Sequence, residues 1–369
     1  MSALPPFRVL SLDGGGMRGA YSAAYLDRLS ASFAKRRGVD SLDIGAAFDL
    51  IVGTSTGGII ACALAQGIPL GNIVELYSSR GPDIFVRPLP QSVFGVAGDV
   101  FKRAAALQSG ADALASALKE NFGATTLGQV YSERKIALAI PAVELSQHRA
   151  WVFKTPHLKD TNHRDDGYTL VDVCLATSAA PIYRSMAVVD HTECSSNGFN
   201  VFVDGGLWAN NPVLVGLIDA LELTEAGQEI QIFCLSTCPV SVGEQIEKKD
   251  AHRGLLDWKF GGAVTNVSID SQQFAYDHMA KKLARHLDRK CTIVRFPSEK
   301  VPAALIPYLG LDDTRVEANQ ALVNQARTDA DMTNSRFASE DVEAKLIKEV
   351  FESAPSRSNA APDLNLRAD

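Results

Sequence analysis

The sequence lacks the features that mark several classes of protein. It has no pair of cysteines at CxxC spacing, and its six cysteines are scattered, mostly within apolar runs, where a thiol behaves as a small hydrophobic group. This excludes a disulfide-stapled mini-domain and a cysteine-ligated zinc site. The chain also lacks an excess of basic residues, since 43 acidic against 36 basic side chains give a net charge of −7. Such a surface does not favour binding to DNA or RNA.

Long, unbroken hydrophobic segments are missing as well. Residues 50–74 carry no charged side chain, but they include Pro69 and several glycines and polar residues that would break a membrane-spanning helix. The first six residues lack the basic and apolar parts of a secretory signal peptide. We therefore expect a soluble, cytoplasmic protein. Its 369 residues, 46% of them hydrophobic, are enough to bury a large core without metals or cross-links.

What the sequence does contain is a strand, glycine-rich turn and helix that occur twice in succession. A β-prone run at 7–12 leads through glycines into a helical pattern at 19–37, and an apolar run at 48–52 leads through a second turn into another helix at 59–66. This order predicts parallel strands joined by crossover helices, with the turns at the carboxyl ends of the strands. We expect an α/β fold with a mostly parallel central sheet.

The chain shows no internal repeat and no low-complexity linker, which favours one composite domain. We place that domain at 7–350, after a short tail at 1–6, with a mainly helical C-terminal extension at 240–350. The polar residues 351–369 are expected to form a mobile tail.

The second turn matches the nucleophile-elbow pattern G-x-S-x-G between a strand and a helix. Its serine is Ser55, flanked by Gly53 and Gly57. A turn tight enough to push a serine hydroxyl outward crowds its neighbours, so glycine is needed on both sides. The positive end of the following helix also favours a developing anion. A crowded βα turn without catalytic function gives the same five residues.

The first turn, DGGGMRG at 13–19, allows two interpretations. The amides of Gly14, Gly15 and Gly16 can point together at an oxyanion, with Arg18 as a nearby positive charge. The same residues also fit the dinucleotide-binding pattern G-x-G-x-x-G. Asp13 argues against a bound pyrophosphate, because its carboxylate would lie next to the phosphates. A non-hydrolytic dinucleotide-binding protein remains an alternative.

A third candidate is Asp204, which ends a strand and precedes two glycines. A carboxylate in this position can take the proton of a serine hydroxyl directly, although Asp-Gly-Gly is also a common turn. A conventional triad needs a histidine instead. Only His252, His278 and His286 follow a candidate acid in the order Ser-Asp-His, and none has a strand-end, glycine-flanked setting.

Taken together, these motifs resemble the patatin-like phospholipase family. The resemblance covers about 7–215 and includes DGGGMRG, GTSTG, DGGLWANNP at 204–212 and TSAAP at 177–181. It implies a three-layer α/β/α fold and a lipid acyl hydrolase that needs no metal or cofactor. By resemblance, Ser55 is the nucleophile and Asp204 the base. The oxyanion hole is implied at Gly14, Gly15 and Gly16, with help from Arg18.

The resemblance also extends to stand-alone bacterial phospholipase effectors that a cyclic dinucleotide activates in anti-phage defence. It implies membrane phospholipids as substrate at the inner face of the membrane and a cyclic dinucleotide as activator. A constitutive esterase or lysophospholipase of the same fold is the alternative, and a homodimer or larger oligomer is left open. A basic stripe at helical spacing could hold headgroup or nucleotide phosphates or be a solvated helix face. It consists of His278, Lys281, Lys282, Arg285 and Arg289.

A second feature of this kind is the segment 81–110, which contains Phe85, Val93, Phe94, Val96 and Phe101. These apolar residues fit a mobile lid over an acyl site, and they fit ordinary core equally well.

Overall fold

A central sheet of eight strands organises the described part of the chain. The computed structural model describes residues 4–86, 102–190, 198–238, 246–254, 257–258, 262–297 and 301–357. The strand order is β5-β6-β3-β2-β1-β7-β8, with β4 on the other edge of β3. The pairs among β8, β7, β1, β2 and β3 are parallel, and those involving β4, β5 and β6 are antiparallel. The strands are β1 (Phe7–Leu12), β2 (Leu50–Gly53), β3 (Ala137–Glu144), β4 (Arg149–Lys154), β5 (Ala187–Asp190), β6 (Phe199–Asp204), β7 (Ile230–Leu235) and β8 (Cys291–Phe296).

Helices cover both faces of this sheet. Alternate residues of a strand point to opposite faces, and in β1 Val9 joins one hydrophobic cluster while Leu10 and Leu12 join the other. The larger cluster packs under α1, α2, α3, α10 and α11, and the smaller one under α8 and α9. The predicted three-layer fold with a mostly parallel sheet is thus confirmed. The helices are α1 (Gly19–Arg37), α2 (Thr56–Gln66), α3 (Leu70–Ile84), α4 (Arg103–Phe122), α5 (Leu127–Arg134), α6 (Leu170–Thr177), α7 (Gly206–Ala209), α8 (Val213–Leu223), α9 (Gly262–Ala284), α10 (Val316–Arg336) and α11 (Val342–Ser353).

One local feature of the sheet brings two distant turns together. The first half of β3 pairs with β2 in parallel, and its second half pairs with β6 in the antiparallel sense. Since β4 occupies the other edge of β3, β2 and β6 lie on the same edge and approach each other end to end. Their last residues, Gly53 and Asp204, therefore face each other across a short gap.

The C-terminal region differs from the sequence-based expectation in two places. Its helices were expected, but β8 was not, and this strand pairs with β7 along its full length. The predicted boundary of the tail at 351 falls inside α11, where Phe351 is buried against Phe33. Ala354 is also buried, and Ser356 forms a bridge with Leu42. The chain is thus fixed to the fold as far as 357, because its last helix covers the end of α1.

Within the described ranges, no helix combines the length and apolarity needed to cross a bilayer.

Candidate active site

Ser55 occupies a strained turn between β2 and α2. Its backbone has φ 56° and ψ −122°, a conformation that side chains with a Cβ adopt rarely and that marks functional sites. The flanking glycines permit the turn: a Cβ on Gly53 would lie 2.3 Å from the Gly57 carbonyl oxygen, and one on Gly57 would lie 2.3 Å from that of Leu12. Both elbow glycines are therefore required by close backbone packing.

A threonine of the TSAAP segment holds the elbow from the opposite side. The Ser55 N–H donates to Thr177 Oγ1 at 2.9 Å, and this hydroxyl in turn donates to the Pro141 carbonyl on β3 at 2.6 Å. The Gly205 N–H donates to the carbonyl of the same threonine at 3.3 Å. Thr177 thus links the serine turn, β3 and the loop after Asp204, and so fixes their relative position.

Ser55 and Asp204 meet across the gap between β2 and β6. The hydroxyl Oγ of Ser55 donates to Asp204 Oδ2 at 2.7 Å, and the N–H of Gly206 donates to Asp204 Oδ1 at 2.6 Å. Both residues are buried, with Ser55 8% and Asp204 6% exposed. The carboxylate is therefore fixed through both oxygens, with one of them directed at the serine hydroxyl.

Burial changes the acidity of Asp204. The loss of water around the carboxylate raises its pKa to about 6, against the opposing effects of the Gly206 N–H, the Ser55 hydroxyl and the Arg184 guanidinium. A carboxylate with this pKa is ionised at neutral pH and is a much stronger base than an ordinary aspartate. It is suited to accept the proton of a serine hydroxyl.

The glycine-rich turn supplies amides next to this pair, but not all of those expected. The N–H of Gly14 donates to the Asn210 carbonyl at 2.9 Å, so the predicted part of Gly14 in an oxyanion hole is not compatible with this geometry. Gly15 and Gly16 line the cavity around Ser55, and among the described contacts their N–H groups have no acceptor. These two amides can therefore serve an oxyanion.

Arg18 lies beside the turn rather than in the cavity. Its Nε donates to the Gly15 carbonyl at 3.3 Å, and it is not among the described residues that line the cavity. Arg18, predicted to assist an oxyanion as a nearby positive charge, thus contacts the backbone of the turn. Through this contact Arg18 orients Gly15, and its help to an oxyanion stays a prediction.

Asp13, at the start of the same turn, is held by Arg295 on β8. Nη1 of Arg295 lies 2.6 Å from Asp13 Oδ2, while its Nε and Nη2 bind the carboxylate of Asp277 on α9 at 2.5 and 2.7 Å. Burial lowers the pKa of Arg295, but the two carboxylates outweigh this effect and raise it. Asp13 is thus engaged in an ion pair, which anchors the glycine-rich turn to two C-terminal elements.

The dyad opens into a largely apolar cavity that is continuous with solvent. Its polar lining includes Ser55, Asp204 and Arg184. Phe85, one of the predicted lid residues, lines the cavity, whereas Val93, Phe94, Val96 and Phe101 lie outside the described residues. The apolar side chains that line the cavity include Met17, Ile59, Leu76, Tyr77, Ile84, Phe85, Leu114, Leu207, Ile269 and Leu311.

No histidine of the described ranges lines this cavity. His157 is buried elsewhere, between Thr155 at 2.7 Å and Asp219 at 3.2 Å. His191 lies outside the described residues. The histidine-dependent alternative therefore finds no support in the described part of the site.

Comparison with known proteins gives a family match and several relatives. The family described as "Patatin-like phospholipase" matches residues 10–217. The chain belongs to this family. It is 33% identical to a Pseudomonas aeruginosa protein named cGAMP-activated phospholipase, over 76% of this chain and 77% of that protein. It is 28% identical to an Escherichia coli protein of the same name, over 90% of each. Among solved structures, VipD from Legionella pneumophila aligns with 89% of this chain and 68% of its own, at 12% identity and a TM-score of 0.36.

This patatin-like phospholipase is therefore a hydrolase of lipid esters.

The predicted basic stripe of this protein lies away from the cavity. His278, Lys281 and Lys282 are exposed on α9, and Arg285 is exposed just beyond its end. Arg289 is separate from them, because its guanidinium donates to Thr224 at the end of α8. The stripe thus consists of four exposed residues, and the fifth predicted member is engaged within the fold.

Several residues of the site gave no signal in the sequence. Arg184 lines the cavity, and Gln272 on α9 binds the loop between Gly206 and Asn210. Thr237 donates to the Gly14 carbonyl at 3.2 Å. Only the position of Arg184, three residues after TSAAP, could have drawn attention to it.

Proposed function

We propose that this protein cleaves fatty-acyl esters of membrane phospholipids with Ser55 as nucleophile and Asp204 as base. The observation that carries the proposal is the 2.7 Å hydrogen bond from Ser55 Oγ to Asp204 Oδ2, buried at the wall of an apolar cavity. A hydroxyl that already donates to a carboxylate of raised pKa can lose its proton as it attacks. The apolar lining has the chemistry needed to hold an acyl chain.

The chemistry proceeds in two halves. Asp204 accepts the proton as Ser55 Oγ attacks the ester carbonyl, and the Gly15 and Gly16 amides receive the developing oxyanion, each such donor being worth about 3–4 kcal/mol. The ester C–O bond then breaks, and the leaving lysophospholipid oxygen takes the proton from Asp204. In the second half Asp204 deprotonates a water that attacks the acyl-enzyme, and the proton returns to Ser55. This scheme has no step for a metal or a cofactor.

We further propose that a cyclic dinucleotide switches the enzyme on, at the inner face of the bacterial membrane and in anti-phage defence. Relatives of this chain at 28–34% identity carry the name cGAMP-activated phospholipase. A phospholipase without a switch would damage the membrane of its own cell, so an inactive ground state is physically sensible.

The helix α9 offers a path for such a switch. Gln272 on this helix accepts from the Asn210 N–H at 2.9 Å and donates to the Gly206 carbonyl at 3.1 Å. Tyr276, one turn later, donates to the Trp208 carbonyl, and the exposed cations follow on the next turns. We propose that these cations bind phosphate groups of the activator or of anionic lipid, and that a shift of α9 repositions the loop after Asp204.

The catalytic proposal is tested by hydrolysis of a dual-chain phospholipid in vesicles, with and without cGAMP. We expect Ser55→Ala and Asp204→Ala each to lower the rate by at least about 10³-fold and to leave the fold intact by circular dichroism. Ser30→Ala is the matched control, because Ser30 is also 8% exposed but lies in α1 without a described hydrogen-bond partner for its hydroxyl. Full activity of the Asp204 variant would reject the dyad.

The activation proposal is tested with Lys281→Gln/Arg285→Gln. We expect the cGAMP concentration for half-maximal activation to rise about tenfold, since two charge-assisted contacts to phosphate are lost. Lys348→Gln, an exposed lysine on α11, is the control. An unchanged cGAMP response with weaker binding to anionic vesicles would assign the stripe to lipid. A wild-type rate that is independent of every cyclic dinucleotide would favour the constitutive esterase.

A further inference from the structure

A buried arginine lies in the cavity beside the dyad and is used by no step above. Arg184 is 9% exposed. Its Nη1 donates to Ser178 Oγ at 3.3 Å, and within the described part of the chain no carboxylate forms an ion pair with it. A guanidinium carries five N–H donors, and among the described residues one of them has a side-chain acceptor.

A cation in this position is costly unless an anion joins it, since burial without a partner removes its hydration. Burial accordingly lowers the pKa of Arg184 to about 10, against the smaller opposing effects of Asp204 and Tyr77. The side chain remains charged at neutral pH. Its planar fork matches the paired oxygens of a phosphate better than a single hydroxyl.

The lining of the cavity combines polar and apolar side chains. The polar side chains include those of Ser55, Asp204 and Arg184. The apolar ones come in part from α2, α3 and α4 and include Ile59 and Leu114. A molecule that matches both kinds of lining carries an anionic group near an ester, together with a hydrocarbon chain. A glycerophospholipid combines these groups.

We propose that Arg184 determines substrate specificity by binding the phosphate of the phospholipid headgroup while Ser55 attacks the neighbouring acyl ester. This inference rests on the proposed function of Ser55 and Asp204. It assigns to Arg184 a contact with the substrate, in addition to its effect on the charge of Asp204.

The test compares two substrates with the same acyl chains, monomeric dihexanoylphosphatidylcholine and dihexanoylglycerol, which differ in the phosphocholine group. The proteins are full-length wild type, Arg184→Met and Arg184→Lys, with cGAMP present throughout. Assays run at about pH 8.5, where Asp204 stays ionised. For Arg184→Met we expect KM for the phospholipid to rise roughly 10- to 100-fold, with kcat/KM for the neutral ester within about threefold of wild type. Arg184→Lys, which keeps the charge, should recover a large part of the loss.

An equal fall on both substrates would overturn the inference and show that Arg184 acts through Asp204, and no change on either would overturn it as well. Inorganic phosphate should inhibit neutral-ester hydrolysis by wild type, and Arg184→Met should not be inhibited. Equal inhibition of both proteins would also count against the inference. Arg103→Met is the control, since Arg103 donates to the Ile182 carbonyl outside the cavity. Arg184→Gln replaces the Met variant if that protein does not fold. Inactive wild type on both esters would instead reject the proposed function.

Discussion

The motif region (residues 7–223) and the C-terminal region (residues 246–357) contribute to the site in different ways. The motif region carries the two residues proposed to react on short turns, Ser55 after β2 and Asp204 after β6. The C-terminal region supplies Ile269 and Leu311 to the cavity wall, but mainly it holds the turns in place. At the loop after Asp204, its hydrogen bonds go to backbone atoms of Gly206, Trp208 and Asn210.

The reason for this division is that a glycine-rich turn has few side chains with which to fix itself. The turn after β1 is held by the Leu311 carbonyl, which accepts from the Met17 N–H at 2.9 Å, and by the ion pair of Asp13 with Arg295. The loop after Asp204 is held by Gln272. Oxyanion donors need a fixed direction in a water-poor site, so the geometry of the short motifs depends on residues far along the chain.

Arg295→Met tests this dependence and has the largest expected effect on stability. Removing the guanidinium leaves the buried Asp13 and the partly buried Asp277 as neighbouring carboxylates without a cation, and breaking a buried ion pair on one side costs about 3–5 kcal/mol. We expect the free energy of unfolding to fall by this amount in urea titrations. We expect kcat to fall as well, because the turn that carries Gly15 and Gly16 loses its anchor.

The control for Arg295→Met is Arg28→Met. Arg28 also binds a carboxylate through two nitrogens, that of Asp331 at 2.8 and 2.9 Å, but both side chains are about half exposed. Exposed pairs contribute up to about 1 kcal/mol. Equal losses in the two variants would show that the C-terminal region does not hold the motif region in the way described.

The same contrast explains what could be predicted from the sequence. The strand at Phe7–Leu12 and the helix at Gly19–Arg37 have the predicted bounds, because their periodicity and their flanking glycines are local signals. The meeting of Ser55 with Asp204 was expected from the family resemblance. The physical cause of that meeting, β2 and β6 sharing one edge of β3, is a long-range pairing that no local pattern encodes.

What the sequence could not provide follows from tertiary contacts. Gly14 was grouped with Gly15 and Gly16, but the Asn210 carbonyl takes its amide. The sequence analysis does not predict β8. This edge strand, CTIVRF, does not alternate strictly between apolar and polar residues. Arg184 and Gln272 are polar residues in segments without a motif, and their function depends on a cavity and a loop formed by other parts of the chain.

Asp204→Asn tests the contribution of the motif region, and its expected effect on the free energy of unfolding is intermediate. The folded-state pKa of Asp204, about 6 against an ordinary 3.8, means that the folded protein holds this proton more tightly than the unfolded chain. Stability from this group is therefore lost as pH rises through the window from about 4 to 6, by about 3 kcal/mol in all. We expect the Asn variant to be more stable than wild type at pH 8 and equal to it near pH 4.

The same titration sets the acid limb of the activity. If Asp204 is the base, as proposed, it must be ionised to accept the serine proton, so kcat/KM of wild type should fall about tenfold per pH unit below pH 6. The measurement is a pH–rate profile with a neutral soluble ester. An acid limb close to pH 4, together with an Asn variant that is less stable at pH 8, would show that the carboxylate is not desolvated.

Gln272→Ala probes the C-terminal contact to the dyad loop and has the smallest expected effect. The truncation removes an acceptor from the Asn210 N–H and a donor to the Gly206 carbonyl. A lost hydrogen bond of this kind costs about 1–2 kcal/mol, so we expect a small fall in unfolding free energy. A displaced loop moves Asp204 relative to Ser55, and kcat should drop roughly 5- to 10-fold with KM unchanged.

The neighbouring Gln273→Ala separates this positioning effect from a general loss of packing on α9. Gln273 contributes its backbone carbonyl, which accepts from Asn211 Nδ2 at 3.2 Å, and the alanine variant keeps that contact. We expect its kcat to stay within about twofold of wild type. If both variants lost kcat equally, the helix as a whole rather than the Gln272 side chain would position the loop. The C-terminal region would then hold the loop by packing and not by specific hydrogen bonds.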